Sequence, residues 1–267
     1  MMNINPDFEA VPVNTNFKQQ DHTSVCLWMA QDMNQAHSDS IWTAKFSPCG
    51  KCLATGGKDA LLKIWAVATD DSLDIIASEP IWELKEHASD IIDVSWHHSS
   101  KMLISCSFDQ KVILWSFPGS DTNKKAAEPQ SYVFEHPDVP SQVSFFKGEF
   151  KNQFVSGALD GGLRVWNIDK EKRSACQKTT VISNPISALE FSPAGNWLVV
   201  GLINGMCILY EQASKEISEF ARIDCKNRKG RFSTGRKICG ITFIKENEFV
   251  CQTADSRLRI INVHDKI

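Results

Sequence analysis

An Asp followed six residues later by a Trp occurs three times at nearly constant spacing. The pairs are Asp59 and Trp65, Asp109 and Trp115, and Asp160 and Trp166. Two weaker copies follow, Asn204 with Tyr210 and Asp255 with Ile261. The intervals between the Asp/Asn positions are 50, 51, 44 and 51 residues. A fixed period in this range means repeated supersecondary units stacked on one another, which decides the architecture before any single residue is read.

Other residues keep the same period. Phe46, Trp96, Phe146, Phe191 and Phe243 lie twelve to fourteen positions before the five Asp/Asn residues. Two copies share a turn sequence, Ser47-Pro48-Cys49-Gly50 and Ser192-Pro193-Ala194-Gly195. Leu62 and Ile64 alternate with Lys63 and Trp65, and Val112/Leu114, Leu163/Val165 and Leu258/Ile260 repeat that period of two. Alternation of this kind reads as short strands separated by turns. One small sheet cannot bury both faces alone, so such sheets are expected to pack face to face around a common axis.

These residues resemble the WD-repeat family of β-propellers, with a His, a hydroxyl residue, a turn Asp and a Trp in each repeat. The first copy supplies His37, Thr55, Asp59 and Trp65; the second His87, Ser105, Asp109 and Trp115; the third His136, Ser156, Asp160 and Trp166. Copies four and five lack the His and the Trp. The resemblance implies an all-β propeller with five blades represented, over roughly residues 37–263. It implies repeats at about 37–85, 87–135, 136–179, 180–225 and 226–267, within a propeller unit spanning 23–267. Residues 23–29 are expected to form an outer strand, and residues 1–22 read as a disordered polar leader. The fifth copy supplies three strands, at 238–244, 248–253 and 257–263. Either residues 23–29 close a five-bladed ring, or the five blades are an open arc of a seven-bladed ring. The arc is favoured, since WD-type blades are most often sized for seven, and it would leave apolar blade faces uncovered.

A physical role for the recurring set is available. A buried indole N–H needs an acceptor, which a hydroxyl supplies, and an imidazole can link that hydroxyl to a carboxylate. Each polar group left unpaired would cost about 1–3 kcal/mol. Ser, His and Asp together also suggest nucleophilic catalysis. An enzyme needs one such set, whereas this chain repeats it three times, so the reading is structural and no catalytic residue is expected.

The net charge of −3 argues against general nucleic-acid affinity. The N-terminal stretch has neither a basic start nor an apolar run, and no segment approaches twenty apolar residues, so no signal peptide or membrane span is expected. Nine cysteines show no regular framework. They read as reduced thiols of a cytoplasmic protein, peripheral on endomembranes at most. Cys49 and Cys52 with His97 and His98 imitate a zinc set, but they lie in turns of diverging blades and read as surface turns. No metal and no cofactor is expected.

One connection breaks the chain's mild acidity. Within residues 226–237 half the positions are basic: Lys226, Arg228, Lys229, Arg231, Arg236 and Lys237. It lies where a regular repeat places its His, on the face of the Asp turns. Clustered Arg engages carboxylates and phosphates bidentately. The segment is therefore the candidate contact surface for an acidic or phosphorylated protein segment, or for an anionic lipid head group.

Several stretches, including GRKICGITFI followed by DSRLRI, are similar to a narrower group, the Rab-binding WD repeat-containing proteins of recycling endosomes. In that group a region outside the propeller carries the Rab contact, so the resemblance implies a traffic-linked scaffold rather than Rab binding itself. The expected function is a non-catalytic adaptor for protein–protein interactions, linked to vesicle trafficking or small-GTPase signalling. The alternative is a phosphoinositide or anionic-membrane adaptor acting through residues 226–237.

Overall fold

The computed structural model describes residues 31–68, 75–118, 128–148, 152–168, 176–213, 216–226 and 235–263. The expectations for residues 1–22 and 23–29 lie outside this set. The described residues form five antiparallel sheets and no helix. The first blade contains β1 (Ile41–Phe46), β2 (Cys52–Gly57), β3 (Leu62–Ala66) and β4 (Trp82–Leu84). The second contains β5 (Ile91–Trp96), β6 (Met102–Ser107), β7 (Lys111–Ser116) and β8 (Gln130–Glu135). The third contains β9 (Pro140–Phe145), β10 (Gln153–Ala158), β11 (Gly162–Asn167) and β12 (Cys176–Val181). The fourth contains β13 (Ile186–Phe191), β14 (Trp197–Leu202), β15 (Met206–Ala213) and β16 (Glu216–Asp224). The fifth has three described strands, β17 (Ile238–Lys245), β18 (Glu248–Thr253) and β19 (Arg257–Asn262). Strand order within each sheet follows chain order, so every strand pairs with its neighbour in the sequence.

The turn between the two middle strands is built alike in all five blades. The residue after each Asp/Asn has a positive φ: Ala60 (61°), Gln110 (67°), Gly161 (76°), Gly205 (83°) and Ser256 (61°). In the first four blades the Asp/Asn side chain accepts from the amide two residues on, at 3.2, 3.0, 2.7 and 3.0 Å. This local bond holds the turn by itself. It explains why an Asn holds this place in the fourth blade, which lacks the His.

Successive blades pack through their innermost strands. In β2, β10 and β14 a Gly (Gly56, Gly157, Gly201) meets the first Ile of the next blade's inner strand, Ile91, Ile186 and Ile238. A Cβ at any of these glycines would lie 2.6 Å from the Ile Cγ2. Glycine is used here for close approach rather than for backbone freedom. Side chains add cross-blade bonds, including Trp96 Nε1 to the Lys45 carbonyl at 2.9 Å and Ser187 Oγ to the Ile238 carbonyl at 2.8 Å.

The two end blades differ from the middle ones. Trp96, on β5, is 8% exposed, whereas Phe46, its counterpart on β1, is 58% exposed. Leu62 on β3 is fully buried against the second blade, whereas Leu258, its counterpart on β19, is 72% exposed. Both flanking faces of the five-blade array are therefore apolar and uncovered among the described residues.

Candidate functional site

Blades one and two carry the complete polar chain. His37 Nδ1 lies 2.9 Å from both carboxylate oxygens of Asp59, and its Nε2 lies 2.8 Å from Thr55 Oγ1. The same oxygen accepts from Trp65 Nε1 at 2.8 Å. In blade two, His87 Nδ1 lies 2.9 Å from Asp109 and Nε2 lies 2.8 Å from Ser105 Oγ, while Trp115 Nε1 donates to Ser105 at 2.9 Å. Each Asp also accepts from the backbone amide after its His, Ser38 N or Ala88 N. Burial alone would raise both carboxyls, yet these hydrogen bonds hold Asp59 and Asp109 below the usual carboxylate range. The Asp turn and the His loop are thereby tied into one unit.

The third set is assembled differently from the expectation. His136 Nε2 meets Ser156 Oγ at 2.9 Å, and Trp166 Nε1 donates to the same oxygen at 2.7 Å. Asp160, however, is bound by the guanidinium of Arg164 through both Nη atoms rather than by His136. Arg164 occupies the β11 position matched by Lys63 and Ile113 in the first two blades, and it is buried. A charged, bidentate donor beside a carboxylate displaces a single neutral ring N–H. His136 Nδ1 is consequently buried without a hydrogen-bond partner among the described residues. Burial, reinforced by the Arg164 charge, lowers its pKa to about 4.

Blade five uses the same substitute. Arg259 Nη1 reaches Thr253 Oγ1 at 2.5 Å and Nη2 reaches Asp255 at 3.5 Å, while Thr253 Oγ1 donates to Asp255. The spacing Asp-x-x-x-Arg, present at 160–164 and 255–259, is the signal that sequence reading left unused. In blade four Val200 replaces the hydroxyl residue, and the Tyr210 hydroxyl is buried with no partner among the described residues. Burial pushes that hydroxyl up to about 12.

None of these sets is arranged to react. Ser105 and Ser156 are fully buried, and each hydroxyl oxygen already accepts an indole N–H. Nucleophilic attack needs that oxygen free and open to substrate. The turn cysteines and histidines also part ways: Cys52 is in the apolar core, Cys49 is exposed, and His97 packs on Phe145.

Of the basic connection, Lys226, Arg236 and Lys237 are described, and Arg228, Lys229 and Arg231 lie outside the described residues. Gly235 sits against the Asn204 carbonyl, so closely that a Cβ there would overlap it. Gly235 thus packs on the fourth blade's turn, on the face that carries the Asp and His loops. On the opposite face the inner-strand ends surround a cleft of about 1170 Å³, lined by Lys45, Trp96, His98, Phe146, Lys147 and Glu190. Lys45 pairs there with Asp93 at 2.8 Å, and Lys147 lies 3.7 Å from Glu190. The lining offers both charges and aromatic surface.

With this geometry in place, the comparisons are consistent. The model of the WD domain, G-beta repeat matches residues 31–66, 78–116 and 175–211. The chain is 26% identical to WD repeat-containing protein 44 of Xenopus laevis, over 89% of this chain and 30% of that protein. It is 27% identical to an uncharacterized WD repeat-containing protein of Schizosaccharomyces pombe, over 84% of this chain and 40% of that protein. It is 38% identical to Protein HIRA of Dictyostelium discoideum over 34% of this chain. Sheet architecture, polar ties and matches together define a WD-repeat β-propeller. The chain spans less than half the length of the first two of these relatives.

Proposed function

We propose that this chain is a non-catalytic scaffold that recruits other proteins through the rims of its blades. The observation that carries this reading is the internal use of every recurring His, Ser and Asp. They join strand to loop inside a blade and leave no open nucleophile. Binding in a rigid array of this kind falls to the connecting loops. The basic connection at 226–237 is the leading contact, because half of its twelve residues are cationic in a mildly acidic chain. Acidic or phosphorylated segments of a protein partner suit its chemistry. A role in vesicle trafficking or small-GTPase signalling, at the cytoplasmic surface of endomembranes, agrees with the resemblance of the GRK-containing stretch. Proximity labelling tests this. The intact chain should mark endomembrane proteins, and a variant with Arg228, Lys229, Arg231 and Arg236 changed to Glu should lose them at unchanged Tm. Identical labelling by both chains overturns the reading.

A second reading rests on the same cations. Lys226, Arg236 and Lys237 would also suit phosphoinositide or other anionic head groups. Flotation with vesicles containing a phosphoinositide, against neutral vesicles, separates the two. Binding to bare anionic vesicles that is lost in the four-charge reversal favours the membrane, and no flotation favours the protein partner.

A further inference from the structure

Three of the described cysteines converge although they come from separate strands. Cys207 lies on β15, Cys225 directly follows β16, and Cys251 lies on β18. All three are buried, and their sulfurs lie within 4.8 Å of one another. Cys207 Sγ is 3.6 Å from Cys251 Sγ and 3.9 Å from Cys225 Sγ. Around a single ion with metal–sulfur bonds near 2.3 Å, neighbouring sulfurs stand about 3.8–4.0 Å apart. The three thiols therefore already hold close to the spacing that one ion requires.

We infer that Cys207, Cys225 and Cys251 form a three-sulfur site for one soft closed-shell cation, Zn²⁺ or Cu⁺, between the fourth and fifth blades. Thiolate donors select these ions over harder ones. On binding, each ligating thiol releases its proton to solvent, and the ion takes the sulfur lone pairs. The charge of Arg259 acts on Cys225 and favours its thiolate form. The same guanidinium offsets the net negative charge that three thiolates leave around a monovalent or divalent ion. The rest of the surroundings are apolar, from Val199, Leu209, Ile238 and Phe249. Such a shell keeps water from competing for the ion.

The location gives the site a purpose. Blade five lacks both the His and the Trp of the polar tie, and its outer face is uncovered among the described residues. An ion held by Cys207 and Cys225 on one side and by Cys251 on the other fastens the fifth blade to the fourth. Cys225 also immediately precedes Lys226, so occupancy fixes the entry to the basic connection. The inference stands on the sulfur geometry alone, whatever that connection binds.

The experiment uses the whole chain, reduced and under argon, with Zn²⁺ in one arm and bicinchoninate-buffered Cu⁺ in the other. The expected result is one equivalent of ion retained in at least one arm, with X-ray absorption showing three sulfurs at about 2.3 Å, and a raised Tm. Cys225→Ser and Cys251→Ala should each lose the ion and the Tm increase. Changing the exposed Cys49, Cys176 and Cys239 to Ser should lose neither. No retention in either arm, a shell without three sulfurs, or loss in the exposed-cysteine variant overturns the assignment. Should a core variant fail to fold, the sulfur count on the unaltered chain decides alone.

Discussion

Blades two and three have the same His, Ser, Asp and Trp at matching positions, yet they are wired differently. In blade two the carboxylate of Asp109 closes the chain from loop to indole through His87. In blade three Arg164 takes Asp160, and His136 is left buried with one ring nitrogen unpaired. A single side chain four residues past the Asp takes the carboxylate from the His, while the His–Ser and Trp–Ser bonds stay as they are in blade two. The recurring set is thus a competition for one carboxylate, and a nearby guanidinium wins it because its charge and two-pronged geometry outmatch a neutral imidazole.

The contrast can be broken in several ways, beginning with the indoles. Trp115→Ala should cost about 3–5 kcal/mol through its cavity and the lost hydrogen bond, read by denaturant unfolding. A near-neutral result would mean that the second blade's polar chain carries no stability. The histidines come next. His87→Ala strands a carboxylate and a hydroxyl and should cost about 2–3 kcal/mol, whereas His136→Ala removes a group already half unsatisfied and should cost less. Equal losses would erase the distinction between the two blades.

Acid sensitivity separates them further. His136 is held neutral in the fold, with a pKa of about 4 against 6.5 for the exposed group. Between those values the unfolded chain binds a proton that the native chain refuses, so stability falls as pH drops from 6.5 towards 4. The whole effect is about 3 kcal/mol. Arg164→Met should move the His136 pKa upward, free Asp160 to approach the ring, and flatten that slope; the imidazole resonances report the pKa directly. In Asp59 and Asp109 the lowered carboxyls work in a different window. Their contribution is present above their unfolded value near 3.8 and is lost as pH falls through the lower native one. Smallest of all, Gln110→Gly should relieve a left-handed backbone and raise stability by no more than about 1 kcal/mol. A loss there would show that the side chain matters more than the turn.

Much of the fold was readable as period and alternation. The three expected strands of the fifth copy correspond to β17, β18 and β19. Strand identity is local: a two-residue alternation between turn residues says where the chain extends. The ties of the first two blades were readable too, because His, hydroxyl, Asp and Trp stand at fixed offsets. Asp160 was not, since its choice between His136 and Arg164 depends on which donor reaches it in space.

Sequence alone therefore determined the number of blades represented, their strands and the residues available for each polar tie. Tertiary structure decided which donor each carboxylate takes, which apolar faces stay uncovered among the described residues, and that cysteines of two neighbouring blades meet. Offsets within a repeat are carried by the chain itself, whereas contacts between blades exist only after neighbouring sheets have packed.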